Sequence, residues 1–148
     1  MTNLRESLET SLPIEQAFAT IADFSNAPQW DPGVATSERL DGGLLGVGAR
    51  FRLRVRIGPL TAPMEYVVAT WEPPRRDVLT GRGSGVAAID DIRFEVVPTG
   101  TRIDYQADIR LRGPLRLLEP LAGGTFGRIA RDAREGMQRA LDRLAAMA

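Results

Sequence analysis

Strict alternation of arginine with apolar side chains over Arg50–Ile57 is the feature that most constrains the fold of this chain. Phe51, Leu53 and Val55 share one face of an extended strand, and the arginines between them take the other face. A strand with one apolar and one charged side belongs to a sheet that is covered on one face only. The pattern therefore predicts a sheet with one wet face, as in antiparallel architectures.

The same period of two continues through Val34–Arg112 and is broken five times by clusters of glycine, proline, aspartate or serine, which are turn signals. The breaks are Asp41–Gly43, Gly58-Pro59, Pro73-Pro74, Gly83–Gly85 and Pro98–Gly100. Six strands fit between them, and Asn3–Ser11 alternates loosely as a further strand before them. Because the gaps are too short for parallel crossovers, we predict an antiparallel meander.

Two stretches have helical spacing instead. Pro13 stands where a helix tolerates proline, and the apolar pattern after it predicts a short helix that ends near Pro28. After Gly113 an apolar stripe of period 3.6 predicts a long amphipathic C-terminal helix. We expect Pro120 and the pair Gly123-Gly124 to kink or interrupt this helix near its start.

Composition narrows the function classes. With 148 residues of which 43% are hydrophobic, we expect residues 1–148 to form a single domain. The 19 basic and 19 acidic side chains balance, so no net field attracts nucleic acid or an anionic membrane. The absence of histidine and cysteine removes the usual metal ligands, so we expect neither a metal nor a cofactor.

The sequence also bears on location. The first residues contain no apolar run of signal-peptide length, and no stretch approaches the roughly 20 apolar residues of a membrane span. We therefore expect a cytoplasmic protein without an integral membrane segment.

Four short stretches resemble one known family in their order and spacing. They are Leu12–Phe18 and Ala22–Trp30 around the first helix, Thr70–Arg76 at a strand turn, and Gly113–Leu115 before the terminal helix. The chain resembles, over nearly its whole length, the START-like or pollen-allergen-like superfamily called SRPBCC, particularly bacterial members described as polyketide cyclase/dehydrase or lipid-transport-like.

This resemblance implies an α+β helix-grip fold. A curved antiparallel sheet of about seven strands would wrap around the long C-terminal helix, with two short helices after the first strand. It also implies a cavity between sheet and helix that binds a small hydrophobic molecule, polyketide-like or lipid-like. We expect a monomer or homodimer.

Inward-facing side chains would line that cavity, and ordinary core packing is the alternative for each of them. The candidate ligand-binding residues are Trp30, Phe51, Leu53, Val55, Met64, Tyr66, Val68, Ile92, Phe94, Tyr105, Phe126 and Ile129. Trp30, held between Pro28 and Pro32, either closes one end of the cavity or plugs the end of the core.

Three polar residues are candidates for catalysis. Buried Tyr66 and Tyr105 would need hydrogen-bond partners, which either a ligand carbonyl or the core can supply. Asp90 shares a strand face with Phe94, so it points inward if the register holds, and burial would then raise its pKa. A solvent-exposed turn position next to Asp91 is the favoured alternative, because acidic residues are seldom buried unpaired.

Three function classes remain open. The first is a carrier or sensor of a hydrophobic molecule, which the apolar inward faces favour. The second is an enzyme resembling polyketide cyclases and dehydratases, in which Tyr66 or Tyr105 donates to a substrate carbonyl and Asp90 moves a proton. The third is a protein-interaction module without a ligand, which would have a filled core and an exposed apolar patch.

Overall fold

The computed structural model describes residues 2–57 and 59–147, without the side chains of Ile57 and Ala122. The chain starts with strand β1 (Thr2–Thr10), followed by the short helices α1 (Ile14–Ala22) and α2 (Ala27–Trp30), which a 3₁₀ turn over Phe24–Asn26 connects. Six strands and a long helix complete the fold: β2 (Val34–Arg39), β3 (Arg50–Ile57), β4 (Leu60–Glu72), β5 (Arg76–Gly83), β6 (Val86–Val97), β7 (Gly100–Leu111) and α3 (Glu119–Ala146). A 3₁₀ segment over Gly113–Leu118 leads into α3.

The strands form one antiparallel sheet of seven strands in the order β1-β7-β6-β5-β4-β3-β2. Strands β2 to β7 follow one another as the predicted meander, and β1 joins β7 at the far edge. The predicted α+β helix-grip fold, with two short helices after the first strand and a long terminal helix, is confirmed.

Alternation on β3 holds as predicted. Phe51 and Leu53 are buried, while the arginines between them are exposed. On the exposed face Arg52 pairs with Glu65 of β4 at 3.3 Å and with Glu38 of β2 at 3.6 Å. Such cross-strand pairs contribute about 0.2–1 kcal/mol each, so the sheet depends mainly on its buried face.

The first helix ends earlier than predicted. α1 stops at Ala22 rather than near Pro28, because the Asp23 carboxylate accepts hydrogen bonds from the Ser25 backbone N–H at 3.0 Å and from the Ser25 hydroxyl at 2.6 Å. These bonds favour a tight turn over a further helical turn. Pro28 instead lies in the first turn of α2, where its missing N–H costs no hydrogen bond.

Of the predicted kink or interruption near the start of the terminal helix, the interruption is wrong. α3 runs without a break over 28 residues. Pro120 lies in its first turn, so it removes no intrahelical hydrogen bond. Gly123 and Gly124 are exposed and helical, and their cost in helix propensity is too small to end the helix.

The second half of α3 is its buried half. Met137, Ala140 and Leu141 lie in the core. At the edge of the sheet Arg134 Nε donates to the Ser7 carbonyl and Gln138 Nε2 to the Glu9 carbonyl of β1, each at 2.9 Å. Within residues 2–57 and 59–147 no helix, α3 included, is long and apolar enough to cross a membrane.

Candidate functional site

Burial along the inward face of β1 and β7 changes from one end of the sheet to the other. At one end these side chains are fully buried: Leu8, Thr10, Thr101 and Ile103. Toward the other end, although Leu111 at the end of β7 is buried again, six inward side chains are only half-buried: Thr2, Leu4, Glu6, Tyr105, Ala107 and Ile109. The sheet therefore has a closed end and an open end on its concave side.

The open end faces the first half of α3, where Phe126 and Ile129 are half-buried and Leu121 is exposed. Gly33, before β2, lies close to Ile129, and its carbonyl accepts a hydrogen bond from the Arg56 backbone N–H at 2.7 Å, which places Ile129 near the end of β3. We use the name open cleft for the half-buried inward side chains of β1 and β7 together with Val55, Val86, Phe126 and Ile129.

A surface groove of about 350 Å³ lies at the start of β1 and of α3. Thr2, Arg116, Glu119 and Pro120 line it. A second groove, of about 160 Å³, lies between α2 and α3 and is lined partly by Trp30 and Gly136. The first groove lies next to the cleft, since Thr2 is paired with Ile109.

At the inner end of the cleft, the Tyr105 hydroxyl donates a hydrogen bond to Asp90 Oδ2. Asp90 is 7% exposed and lies inside β6, opposite Leu79 and Ala107. The favoured expectation of a solvent-exposed turn position is therefore wrong. The register of β6 turns Asp90 toward the concave side, and the phenol supplies the partner that a buried carboxyl needs.

Tyr66 lies beside this pair and depends on a glycine for its position. A side chain at Gly81, its cross-strand neighbour, would come within 2.5 Å of the Tyr66 ring, so only glycine leaves room for the phenol on the concave face. Phe24 packs edge-on against the ring at 5.4 Å. Tyr66 makes no hydrogen bond within the described part of the chain, so its hydroxyl is available to a ligand.

Trp30 lies in the core next to Tyr105. Its ring is 2% exposed and packs edge-on against Phe24 and Tyr105, each at 6.1 Å. The indole N–H is buried and has no hydrogen-bond partner among the described residues. Buried donors are rarely left without a partner, so this N–H is available to an acceptor that enters the cleft.

Sequence reasoning missed three carboxyls on this side of the sheet. Asp77 is fully buried, and neither of its oxygens has a hydrogen-bond partner among the described residues. Glu6 is half-buried opposite Tyr105, and Asp31 caps the loop before β2 by accepting from the Gly33 N–H at 2.8 Å.

The alternation of apolar residues contained a signal for two of these carboxyls. Asp77 shares a strand face with Leu79, and Glu6 shares one with Leu8. Extending the period-two pattern across the charged position would have placed both carboxyls inward.

The inner carboxyls are Asp77, Asp90 and Asp31, and burial is the largest cause of the raised pKa of each. Burial raises the pKa of Asp77 to about 8, with a further increase from Asp90. Burial also raises the pKa of Asp90 to about 7, although the Tyr105 hydrogen bond lowers it and nearby Asp31 and Asp108 raise it. The pKa of Asp31 rises to about 6, mainly through burial. Burial likewise raises the pKa of both tyrosines well above the usual value, so both phenols remain protonated at neutral pH.

The remaining predicted lining residues divide between core and cleft. Phe51, Leu53, Met64, Val68, Ile92 and Phe94 are buried. Phe94 packs against Phe18 of α1 at 5.1 Å, away from the cleft, whereas Val55, Phe126 and Ile129 belong to the cleft. Among the described side chains no cluster of acidic residues is arranged to hold a metal ion.

Comparison with known proteins gives a family and a fold. The family model described as polyketide cyclase/dehydrase and lipid transport matches residues 1–148. No curated protein matches the chain. Among solved structures, the chain is similar to TTHA0849 from Thermus thermophilus, with a TM-score of 0.80, 16% identity and 99% of each chain covered.

Two further structures cover 100% of both chains. The first is a START superfamily protein from Mycobacterium smegmatis, with a TM-score of 0.76 and 17% identity. The second is DR_A0006 from Deinococcus radiodurans, with a TM-score of 0.72 and 19% identity. At these identities the likeness concerns the fold.

Proposed function

The chain belongs to the polyketide cyclase/dehydrase and lipid transport family, and from this premise we propose that it binds a small hydrophobic molecule in the open cleft. The observation that supports this most directly is the half-burial of inward apolar side chains at one end of the sheet. Ile109 and Val55 face the concave side yet remain accessible. An apolar ligand that covered them would gain about 25 cal/mol for each Å² of apolar surface removed from water.

Polar groups at the inner end would fix the orientation of that ligand. The Tyr66 hydroxyl and the Trp30 N–H have no partners within the described residues, and the Tyr105 hydroxyl is held by Asp90. A few convergent polar groups at the end of an apolar cleft are typical of small-molecule sites. We take the groove lined by Thr2, Arg116, Glu119 and Pro120 as the entrance, because Thr2 is paired with Ile109 of the cleft.

Filling the cleft should abolish ligand binding. Ala107 lies on the cleft floor between Tyr105 and Ile109, so we expect Ala107→Trp to occupy the space of the ligand. The neutral apolar dye Nile red should bind the unmodified chain with enhanced fluorescence, and its affinity should fall at least about tenfold in the variant.

Gln106→Trp is the matched control, since Gln106 is the exposed neighbour on the same strand. It should leave dye affinity within about twofold. Far-UV circular dichroism checks that both variants fold. Equal dye binding by the two folded variants would show that the dye does not occupy the cleft and would contradict the proposal.

A second candidate function, an enzyme of the cyclase or dehydratase type, is favoured by the Tyr105–Asp90 hydrogen bond. A carboxyl whose pKa lies at about 7 can both accept and return a proton near neutral pH. The Tyr66 phenol would donate to a carbonyl oxygen of a folded poly-carbonyl substrate and stabilise the enolate that forms during aldol condensation. Tyr105 would do the same when Asp90 is protonated and donates to the Tyr105 oxygen.

The double variant Tyr66→Phe/Tyr105→Phe tests this second function. With a synthetic linear poly-β-carbonyl thioester, the unmodified chain should accelerate cyclisation over the spontaneous rate, and the double variant should lose about 100-fold of that acceleration. Product formation followed by chromatography measures both rates. An unchanged rate in the double variant would remove the proposed role of the phenols.

The third function class, a protein-interaction module without a ligand, also has an observation in its favour. Five leucines are exposed where the chain enters α3 and at the start of β4: Leu60, Leu115, Leu117, Leu118 and Leu121. Exposed apolar clusters mark contact sites in many proteins. Failure of the unmodified chain to bind Nile red would favour this class over the carrier.

A further inference from the structure

The charged side chains at the inner end and on the floor of the open cleft are acidic, whereas Arg116 lines the groove at the start of β1 and α3. Asp90 and Asp77 lie at its inner end, Glu6 lies on its floor, and Asp31 lies beside Asp132 of α3 on the opposite side. The charged groups that act on the three inner carboxyls are other carboxylates, with no arginine among them. Arg134, the basic residue bonded to β1, donates to the Ser7 carbonyl at the sheet edge.

Asp77 shows that this acidic interior lacks partners from the chain itself. It is fully buried on the inward face of β5, diagonal to Asp90, and both of its carboxyl oxygens are without hydrogen bonds among the described residues. A buried polar group without a hydrogen-bond partner destabilises the fold. The Asp77 carboxyl can therefore accept a hydrogen bond from a donor that belongs to a ligand.

Aromatic rings surround the same region. Trp30 contacts Tyr105 edge-on, and Phe24 contacts both Trp30 and Tyr66. The faces of such rings attract organic cations, most strongly where water is excluded. Carboxyls and aromatic rings together are the combination that recognises an alkylammonium group.

We propose that the open cleft selects hydrophobic molecules that carry a basic amine, an inference that rests on the proposed ligand-binding function. The amine nitrogen would lie among Asp90, Glu6 and the rings of Trp30 and Tyr105. The alkyl or ring portion lies along Ile109 and Val55 toward the entrance. When a neutral amine meets the protonated Asp90 carboxyl, the proton moves to nitrogen and leaves an ammonium–carboxylate pair. A carboxylate ligand such as a fatty acid gains no such pair, because no arginine acts on these carboxyls.

Three probes with the same alkyl chain test this inference: decylamine, decan-1-ol and decanoate. Isothermal titration calorimetry at neutral pH, below the concentrations at which the probes self-associate, measures their affinities. We expect decylamine to bind at least about tenfold more tightly than decan-1-ol, and decanoate to bind most weakly.

Two variants locate the selectivity. Asp90→Asn should reduce decylamine affinity about tenfold and leave decan-1-ol within about twofold, because only the charge partner is lost. Glu6→Gln, at a half-buried position where folding is less sensitive, should act in the same direction. Asp142→Asn, on the exposed side of α3, is the control and should change neither affinity.

The outcomes separate this inference from the proposed function. If decan-1-ol or decanoate binds as tightly as decylamine, amine selectivity is overturned while the apolar ligand site stands. If Asp90→Asn and Glu6→Gln both leave decylamine affinity unchanged, the carboxyls do not recognise the nitrogen and the inference fails. If none of the three probes binds, amine selectivity is overturned together with the proposed ligand site.

Discussion

Gly136→Ala should destabilise the protein by about 2–4 kcal/mol, because the added methyl group has no space between two backbones. Gly136 is buried where α3 crosses α2, and a Cβ there would collide with the Trp30 carbonyl and lie 2.8 Å from the Pro32 ring. A clash with a carbonyl cannot be relieved by a side-chain rotation, so α3 would have to move away from α2. Urea unfolding followed by tryptophan fluorescence measures the loss.

Gly124→Ala is the matched control for this prediction. Gly124 belongs to the same helix and is exposed, and a Cβ added there would meet no neighbouring atom within 4 Å. Alanine there should stabilise the protein by about 0.5–1 kcal/mol, since it reduces the conformational freedom of the unfolded chain. Similar stability changes in the two variants would show that α3 does not depend on close contact with α2.

The pH dependence of stability is the second large effect, and Asp77 should dominate it. Its pKa rises from 3.8 in the unfolded chain to about 8 in the fold. Between those values the native state binds more protons than the unfolded state, so the free energy of unfolding falls as pH rises. Asp90 and Asp31 act in the same direction, up to about pH 7 and about pH 6. The protein should therefore be more stable at pH 5 than at pH 8.

Asp77→Asn isolates this contribution, because the amide imitates the shape of the neutral carboxyl and cannot ionise. One pKa unit corresponds to about 1.4 kcal/mol, so we expect the stability advantage of the variant over the unmodified chain to be larger at pH 8.5 than at pH 5, by about 4 kcal/mol at most. Urea unfolding at the two pH values measures both differences.

Asp142→Asn should show no such pH-dependent gain, since its carboxyl is exposed on α3. A stability difference between Asp77→Asn and the unmodified chain that stays constant with pH would mean that Asp77 is ionised in the fold. The raised pKa, and with it the neutral state of this buried group, would then be wrong.

The period-two pattern is sufficient to predict the sheet, because a sheet with one solvent-exposed face alternates polar and apolar residues along each strand. On β3 every arginine marks the exposed side, and the turn signals between strands coincide with the observed connections. The ends of the helices were harder. α1 ends through the local hydrogen bonds of Asp23, and Pro120 lies in the first turn of α3, so both boundaries depend on details that apolar spacing does not report.

The candidate site was only partly predictable for a different reason. Residue types alone identify four candidates: Tyr66, Tyr105, Asp90 and Trp30. That these side chains lie close together depends on the strand register and on the space that Gly81 leaves for the Tyr66 ring. Asp77 was missed because a charged residue next to Arg75 and Arg76 suggests a solvated turn. Its inward direction follows only from the pairing of β5 with its neighbours.

The contacts of α3 with β1 also affect how copies of this chain can associate. The outer backbone of an edge strand is normally free to pair with a strand of another molecule, which is a common route to aggregation. Here Arg134 and Gln138 already occupy the Ser7 and Glu9 carbonyls, and β2 at the opposite edge is short and carries a bulge between Val34 and Thr36. Both borders of the sheet thus resist strand addition, and a homodimer of this chain would have to associate through side-chain surfaces.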